Sequence, residues 1–275
     1  MNYGRKHLYK KYINMAIKIG NTDISAFKVG SGDCKIYIGD TLLYPTTPSF
    51  DGKWLATYSD SHTESAACDS TSAITQNEMA SLGFVDIQLG DCVTNIGDFA
   101  FYSHQGLSGI TIPDSVTSIG QYAFQNCRGL TSVVIPDSVT SIGEGVFNNC
   151  SGLTSCTIGS GVTSIGRRAF SNCSGLTSVI IPDTVTTINY YAFENCYSLT
   201  SVTIGNSVTT IGQQAFYQCT GLTSVTVNAT TPPTLGTNAF IGTNDCPIYV
   251  PSESLNDYKT ASGWSSLASR IQVKP

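Results

Sequence analysis

Ten cysteines, three histidines and a recurring aspartate are the residues that could form bridges, hold a metal or run catalysis. Their spacing decides between those chemistries. Five cysteines, Cys127, Cys150, Cys173, Cys196 and Cys219, recur every 23 residues. In a chain that coils at that interval they form one column, with neighbouring Cα atoms close enough for a bridge. Five cannot pair completely, no C-x-x-C is present, and the column falls where a small apolar residue is needed. Buried free thiols are therefore expected, with disulfides and a metal site as the lesser alternatives. Reduced thiols in turn point to folding in a cytoplasm.

The histidines, His7, His62 and His104, have no metal-type partner four residues on. None of the H-E-x-x-H, G-x-S-x-G, G-x-G-x-x-G or phosphate-loop patterns occurs. His104 stands where the later units place cysteine, which makes it a packing residue. Asp114, Asp137 and Asp183 share one turn position, but Ser160 and Asn206 fill it in other units. That exchange suits turn stabilisation by short polar side chains better than a calcium ladder. Asn126, Asn149, Asn172 and Asn195 read the same way, as a hydrogen-bonded ladder along a loop; the glycosylation sequons at Asn149 and Asn172 are a by-product. No carboxylate pair stands out for acid–base work. The expectation is no enzyme, no cofactor and no metal.

The elements that position these residues follow from one phenylalanine. It recurs at Phe101, Phe124, Phe147, Phe170, Phe193 and Phe216 with a 23-residue spacing, then at Phe240 after 24. A constant short period indicates a solenoid, because no single unit can bury its apolar face without a stacked neighbour. One unit reads Phe124, Cys127, Leu130, Val133, Ile135, Val139, Ile142. Val133 and Ile135 are two apart and share one face of a short strand, with Ser132 and Val134 on the other. Pro136 lacks an N–H and ends that strand. Val139 and Ile142 begin a second stretch on the opposite wall, and Ala123–Phe124 packs back inside. Successive strands should pair in parallel at about 4.8 Å.

The stretches LTSVVIPDSVTSIGEGVFNNC (Leu130–Cys150) and LTSVIIPDTVTTINYYAFENC (Leu176–Cys196) resemble the leucine-rich repeats of the BspA-like family. The resemblance runs from about Val93 to Pro275. It implies a mainly β solenoid with a parallel β-sheet, of a kind found in surface proteins of gut and oral bacteria. Residues 84–245 are the expected repeat region. Residues 246–275 read as a carboxy-terminal cap of one strand and a short helix, with Leu255, Tyr258, Trp264 and Leu267 covering the open end. Residues 50–83 read as an amino-terminal cap, with Trp54–Ser59 and Ser65–Asp69 forming a hairpin.

Residues 1–49 lack the repeat. Ile17–Ile19, Ala26–Val29 and Lys35–Ile38 alternate apolar and polar residues between turns, and Pro45 and Pro48 mark a linker, so a small β module is expected. The stretch IYIGDTLLYP is similar to modules of structural proteins of phages infecting Bacteroidales. That similarity implies attachment to a larger assembly.

Only 12% of residues are charged and the net charge is −5. The repeat region carries Arg128, Arg167 and Arg168 as its full positive charges, so no nucleic-acid partner is expected. No run reaches the 18 or so apolar residues of a membrane span. The basic start has no apolar segment behind it, so no secretory signal is expected.

A ligand surface is expected where units differ while the framework stays fixed: Gln121-Tyr122, Glu144-Gly145, Arg167-Arg168, Tyr190-Tyr191 and Gln213-Gln214. Tyr190, Tyr191, Tyr197 and Tyr217 are expected to cluster near Arg167 and Arg168, an enrichment typical of binding hot spots. Tyr122, and Ser178, Ser201 and Thr203 on the outward strand face, complete the candidate contacts. The function that follows is non-enzymatic recognition of a host-surface protein or glycan. The carrier is either a phage virion, as a head or tail fibre-like part, or a bacterial cell surface, as an adhesin. A homo-oligomer is compatible with both.

Overall fold

The computed structural model describes residues 84–274, the strands 52–58 and 63–67, residues 73–75, and four two-residue strands nearer the amino terminus. Two compact units are present, residues 1–49 and 50–275. In the first, Lys18–Ile19 pairs antiparallel with Thr22–Asp23, and Tyr37–Ile38 with Thr41–Leu42. The rest of the expected β module, its linker, His7 and His62 lie outside the described residues.

In the second unit each turn of the chain adds a strand to two walls. One wall is a seven-stranded sheet built from Ser132–Ile135, Ser155–Ile158, Ser178–Ile181, Ser201–Ile204, Ser224–Val227, Ile248–Val250 and Ile271–Val273. The strands are parallel, and Ser132 pairs with Ser155 and Ser178 with Ser201, one repeat apart. The other wall is an eight-stranded sheet of two-residue strands such as Ser141–Ile142 and Ser164–Ile165, also parallel. The period-two pattern holds: Val133 and Ile135 are buried, while Val134 between them is 60% exposed.

The amino-terminal end begins differently. Gly52–Tyr58 pairs antiparallel with Thr63–Ala67 and with Phe84–Leu89, which then pairs parallel with Gly109–Thr111. Trp54 and Ala56 are buried there, so the hairpin covers the first turn. At the other end the helix Leu255–Thr260 carries Tyr258 into the core. Trp264 stops the phenylalanine column, 6.0 Å from Phe240, and its indole N–H donates to the Pro233 carbonyl at 2.7 Å.

Between the walls the phenylalanine rings of consecutive turns stack with centroids 4.9 to 5.3 Å apart and planes within 16° of parallel. That separation follows the strand spacing and suits offset aromatic stacking. Side chains also bond from turn to turn. Thr131, Thr154, Thr177, Thr200 and Thr223 donate their hydroxyls to carbonyls one turn back. Asp137 and Asp183 each accept the backbone N–H of the next turn's Ser160 and Asn206. The aspartates thus serve the turns, and Ser or Asn follows where the chain itself is the donor.

The cysteine column is buried and its thiols are free. Each thiol also donates to the carbonyl of the phenylalanine one turn earlier: Cys127 to Phe101 and Cys150 to Phe124 at 3.0 Å, Cys173 to Phe147 and Cys219 to Phe193 at 3.1 Å. Cysteine therefore supplies small apolar volume together with a weak donor for a buried carbonyl. Cys92 departs from the expectation of free thiols: it is disulfide-bonded, to a partner outside the described residues. It lies off the column and is only half-buried, so no neighbouring turn encloses it.

Phe147→Ala removes one ring from the middle of the stack and should cost about 3–5 kcal/mol in urea denaturation. Burial pushes the Cys127 thiol up to about 12 and raises Cys150, Cys173 and Cys196 for the same reason. In the unfolded chain these thiols ionise near pH 8.5. Above that pH the folded chain holds more protons than the unfolded one. Stability should therefore be whole below about pH 8.5 and fall as pH rises toward 12. Thermal melts across that window, compared with a variant carrying alanine at Cys150, Cys173 and Cys196, check the sign.

Candidate recognition surface

The residue two places before each core phenylalanine has a left-handed backbone in every turn. The φ values are 57° at Phe99, 55° at Tyr122, 60° at Gly145, 54° at Arg168, 62° at Tyr191, 54° at Gln214 and 61° at Asn238. A hydrogen bond along the stack accompanies this conformation. Each of these residues up to Gln214 turns its N–H to the carbonyl of the next turn, as Tyr122 does to Glu144 at 2.8 Å and Arg168 to Tyr190 at 3.1 Å.

A second left-handed column lies two places after each phenylalanine, and it is Ser103, Asn126, Asn149, Asn172, Asn195, Gln218 and Gly242. Asparagine and glycine tolerate this conformation at low cost. The asparagine column is thus set mainly by backbone geometry; its side-chain ladder is partial, with Asn195 donating to Asn172 at 3.0 Å and Asn126 to the Ser103 hydroxyl at 3.3 Å. Besides Gly145 and Asn238, the first column meets the same demand with phenylalanine, tyrosine, arginine and glutamine. Each such residue carries roughly 1–2 kcal/mol of backbone strain.

The side chains of that first column touch one another along the edge. The Phe99 and Tyr122 rings stack at 5.2 Å, and Tyr102 meets Phe99 edge-on at 5.8 Å. The Tyr122 hydroxyl donates to a Glu144 carboxylate oxygen at 2.5 Å, which raises the tyrosine pKa. The same oxygen lies 3.5 Å from Arg167 Nη1 in an exposed ion pair of small energetic weight. Gly145 leaves room for the Tyr122 ring, since a Cβ there would come within 2.4 Å of its carbons. The Arg168 guanidinium lies over the Tyr191 ring at 5.2 Å from the centroid, a cation–π contact. The column is therefore an aromatic pair, a gap at Gly145, a cation on an aromatic ring and two amides, Gln214 and Asn238.

Tyr122, Arg168 and Tyr191 belong to this column, and Arg167 flanks it. The expected cluster of four tyrosines resolves into the single Arg168–Tyr191 pair. Tyr190 and Tyr197 are exposed and Tyr217 is half-buried, with no ring contact to one another among the described residues. They occupy different phases of the turn: Tyr197 follows Cys196 and Tyr217 follows Phe216. Ser178, Ser201 and Thr203 lie on the strand wall, Ser178 exposed and the other two half-buried, near the exposed Ile180. Sequence reasoning missed Phe99 and the bridging role of Glu144. Phe99 shares its phase with Tyr122, which is a legible signal; the carboxylate's role needed coordinates. His104 is half-buried at the head of the thiol column. Among the described residues no group of three or more His, Cys, Asp or Glu could hold a metal.

The family described as BspA type leucine rich repeat region (6 copies) matches residues 72–199 and again 150–258. Among solved structures, a leucine rich repeat protein of T. pallidum is 27% identical with a TM-score of 0.56, over 60% of this chain and 79% of that one. A leucine-rich repeat protein from Eubacterium ventriosum is 22% identical with a TM-score of 0.51, over 68% of this chain and 50% of that one, and shares the fold. No curated protein matches the chain.

Gly145→Ala should force the Tyr122 ring off its seat and cost about 1–2 kcal/mol through backbone strain alone. The tyrosine ring resonances and the urea midpoint should move together; a variant as stable as the parent with an undisturbed Tyr122 would refute the packing described.

Proposed function

Because this chain belongs to the family of BspA-type leucine-rich repeat proteins, we propose that it is a non-enzymatic recognition protein. Its contact surface is the outer column of Phe99, Tyr122, Arg168 and Tyr191, and its ligand is a protein or glycan on another surface. One observation carries this. Two columns of the same turn have left-handed backbone; asparagine fills four of the seven positions in one, while phenylalanine, tyrosine or arginine fills four of the seven in the other, at a cost. Strained positions of that kind cluster where side chains have a task. Tyrosine and arginine are the residues most enriched at binding hot spots, and a tyrosine face also stacks on sugar rings.

The column sits on a stiff frame, so little ordering entropy opposes binding. In this reading residues 1–49 attach the protein to its carrier, and residues 50–83 and 246–275 close the ends of the repeats 84–245. The family match supports a cell-surface or secreted adhesin, in keeping with the surface proteins whose repeats these resemble. The virion reading rests on the IYIGDTLLYP stretch of the first unit. Among the described residues no helix is long and apolar enough to cross a membrane.

The test is a variant with Tyr122, Arg168 and Tyr191 all changed to alanine, probed on immobilised host glycans and extracellular-matrix proteins. Binding to whatever the parent captures should fall by roughly a hundredfold, since two hot-spot side chains alone supply that much. The melting temperature should stay within a few degrees. Undiminished capture would remove the column from the binding surface.

A further inference from the structure

A cleft of about 530 Å³ opens where the last turn of the solenoid meets the carboxy-terminal cap. The turn contributes Ile241 and Asp245 to its lining, and the cap contributes Ser266, Ser269, Arg270 and Gln272. The volume is that of a small-molecule site.

Arg270 is the informative residue, because only 8% of it is exposed. A guanidinium has five N–H donors on three nitrogens. Nε donates to the Cys246 carbonyl at 2.9 Å. Nη2 donates to the Thr243 hydroxyl at 2.8 Å and to the Cys246 sulfur at 3.5 Å. Nη1 makes no hydrogen bond among the described residues; its nearest opposite charge is the Asp245 carboxylate at 3.9 Å, on a side chain 97% exposed. Among the described residues no fully enclosed side-chain nitrogen or oxygen lacks a partner, so Nη1 is not sealed off, and Arg270 lines the cleft. A cation so deep in the protein is costly without a close counter-charge. Among the described residues the one counter-charge, Asp245, is held in water, where an ion pair is weak.

The remaining donor capacity selects the anion. Two of the three guanidinium nitrogens are already committed, so the two-nitrogen fork that grips phosphate is closed. One nitrogen suits one carboxylate oxygen, and Asp245 at the rim repels a dianion more than a monoanion. The other lining groups ask for hydroxyls and an apolar face. Ser269 and Gln272 are exposed, Ser266 keeps acceptor lone pairs while donating to the Gly263 carbonyl at 2.9 Å, and Ile241 is 51% exposed. A sugar ring has hydroxyls at its rim and C–H groups on its faces.

We propose that this cleft binds the carboxylate of an acidic sugar, with Arg270 Nη1 as its anchor. The site is independent of the outer column, so replacing Tyr122, Arg168 and Tyr191 leaves it intact.

The experiment titrates the full chain, by ligand-observed NMR and calorimetry, with methyl glucuronide, N-acetylneuraminic acid, methyl glucoside, inorganic phosphate and a short peptide with a free carboxy terminus. Saturable binding of one or both sugar acids is expected, roughly tenfold tighter than the neutral glucoside, the worth of one charge-assisted hydrogen bond. Whichever acid binds identifies a uronate or a sialate as the source. Arg270→Gln should abolish the preference for the acid. Because that change also removes structural bonds to Cys246 and Thr243, Asp245→Asn is the second variant. It takes away only an exposed competing charge and should tighten binding about two- to threefold, within the range of a screened surface pair. Equal binding of acid and neutral sugar, tighter binding of phosphate or of the peptide, or no response to Asp245→Asn would each overturn the proposal.

Discussion

One apolar ring per turn, stacked on the ring of the next turn, is the contact on which this protein depends. Seven phenylalanines from Phe101 to Phe240 form that stack, and Trp264 ends it. The interior is one ring wide, so a turn has no core of its own and gains one only by lying on its neighbour. The strand spacing sets the ring spacing, and the ring then holds the two walls apart at a constant width. Every turn must therefore bring its ring to the same place, and the 24-residue step before Phe240 does so, leaving its ring stacked on Phe216 at 5.3 Å.

Polar groups buried beside the stack follow the same rule of serving the neighbouring turn. Phe124 shows it: its carbonyl accepts the N–H of Cys127 within the turn and the thiol of Cys150 from the next. The threonine columns do the same on the outer walls, and no enclosed side-chain polar atom is left without a partner among the described residues. Most contacts thus run along the stack between equivalent positions. A framework so repetitive constrains some phases of the turn tightly and others very little, and it is at the loose phases that chemistry can vary.

Two places use that freedom. In the outer column, bulky side chains at Phe99, Tyr122, Arg168 and Tyr191 occupy a backbone conformation that asparagine adopts at four positions of the neighbouring column. At the carboxy-terminal end the repeat stops, the cap supplies Arg270, and a buried cation is left with donors to spare. Both features arise where strict repetition is relaxed, one by variation within a phase and the other by the end of the stack.

The sequence by itself determined the solenoid, the two walls and the inward residues, because a 23-residue period leaves only one way to bury Phe124, Phe147 and Phe170 together. It also placed the free thiols of the column and marked Tyr122, Arg168 and Tyr191 as variable. Only the tertiary structure decided which variable residues meet. Tyr190, Tyr197 and Tyr217 are near Tyr191 in the repeat count yet differ in phase, and phase around a coil becomes direction only once the turns are closed. The left-handed columns were equally hidden, since most of their N–H groups meet a carbonyl one full turn away and residue type alone does not mark them. The same holds for Arg270, whose spare nitrogen exists because Cys246 and Thr243, more than twenty positions back, take up the other two.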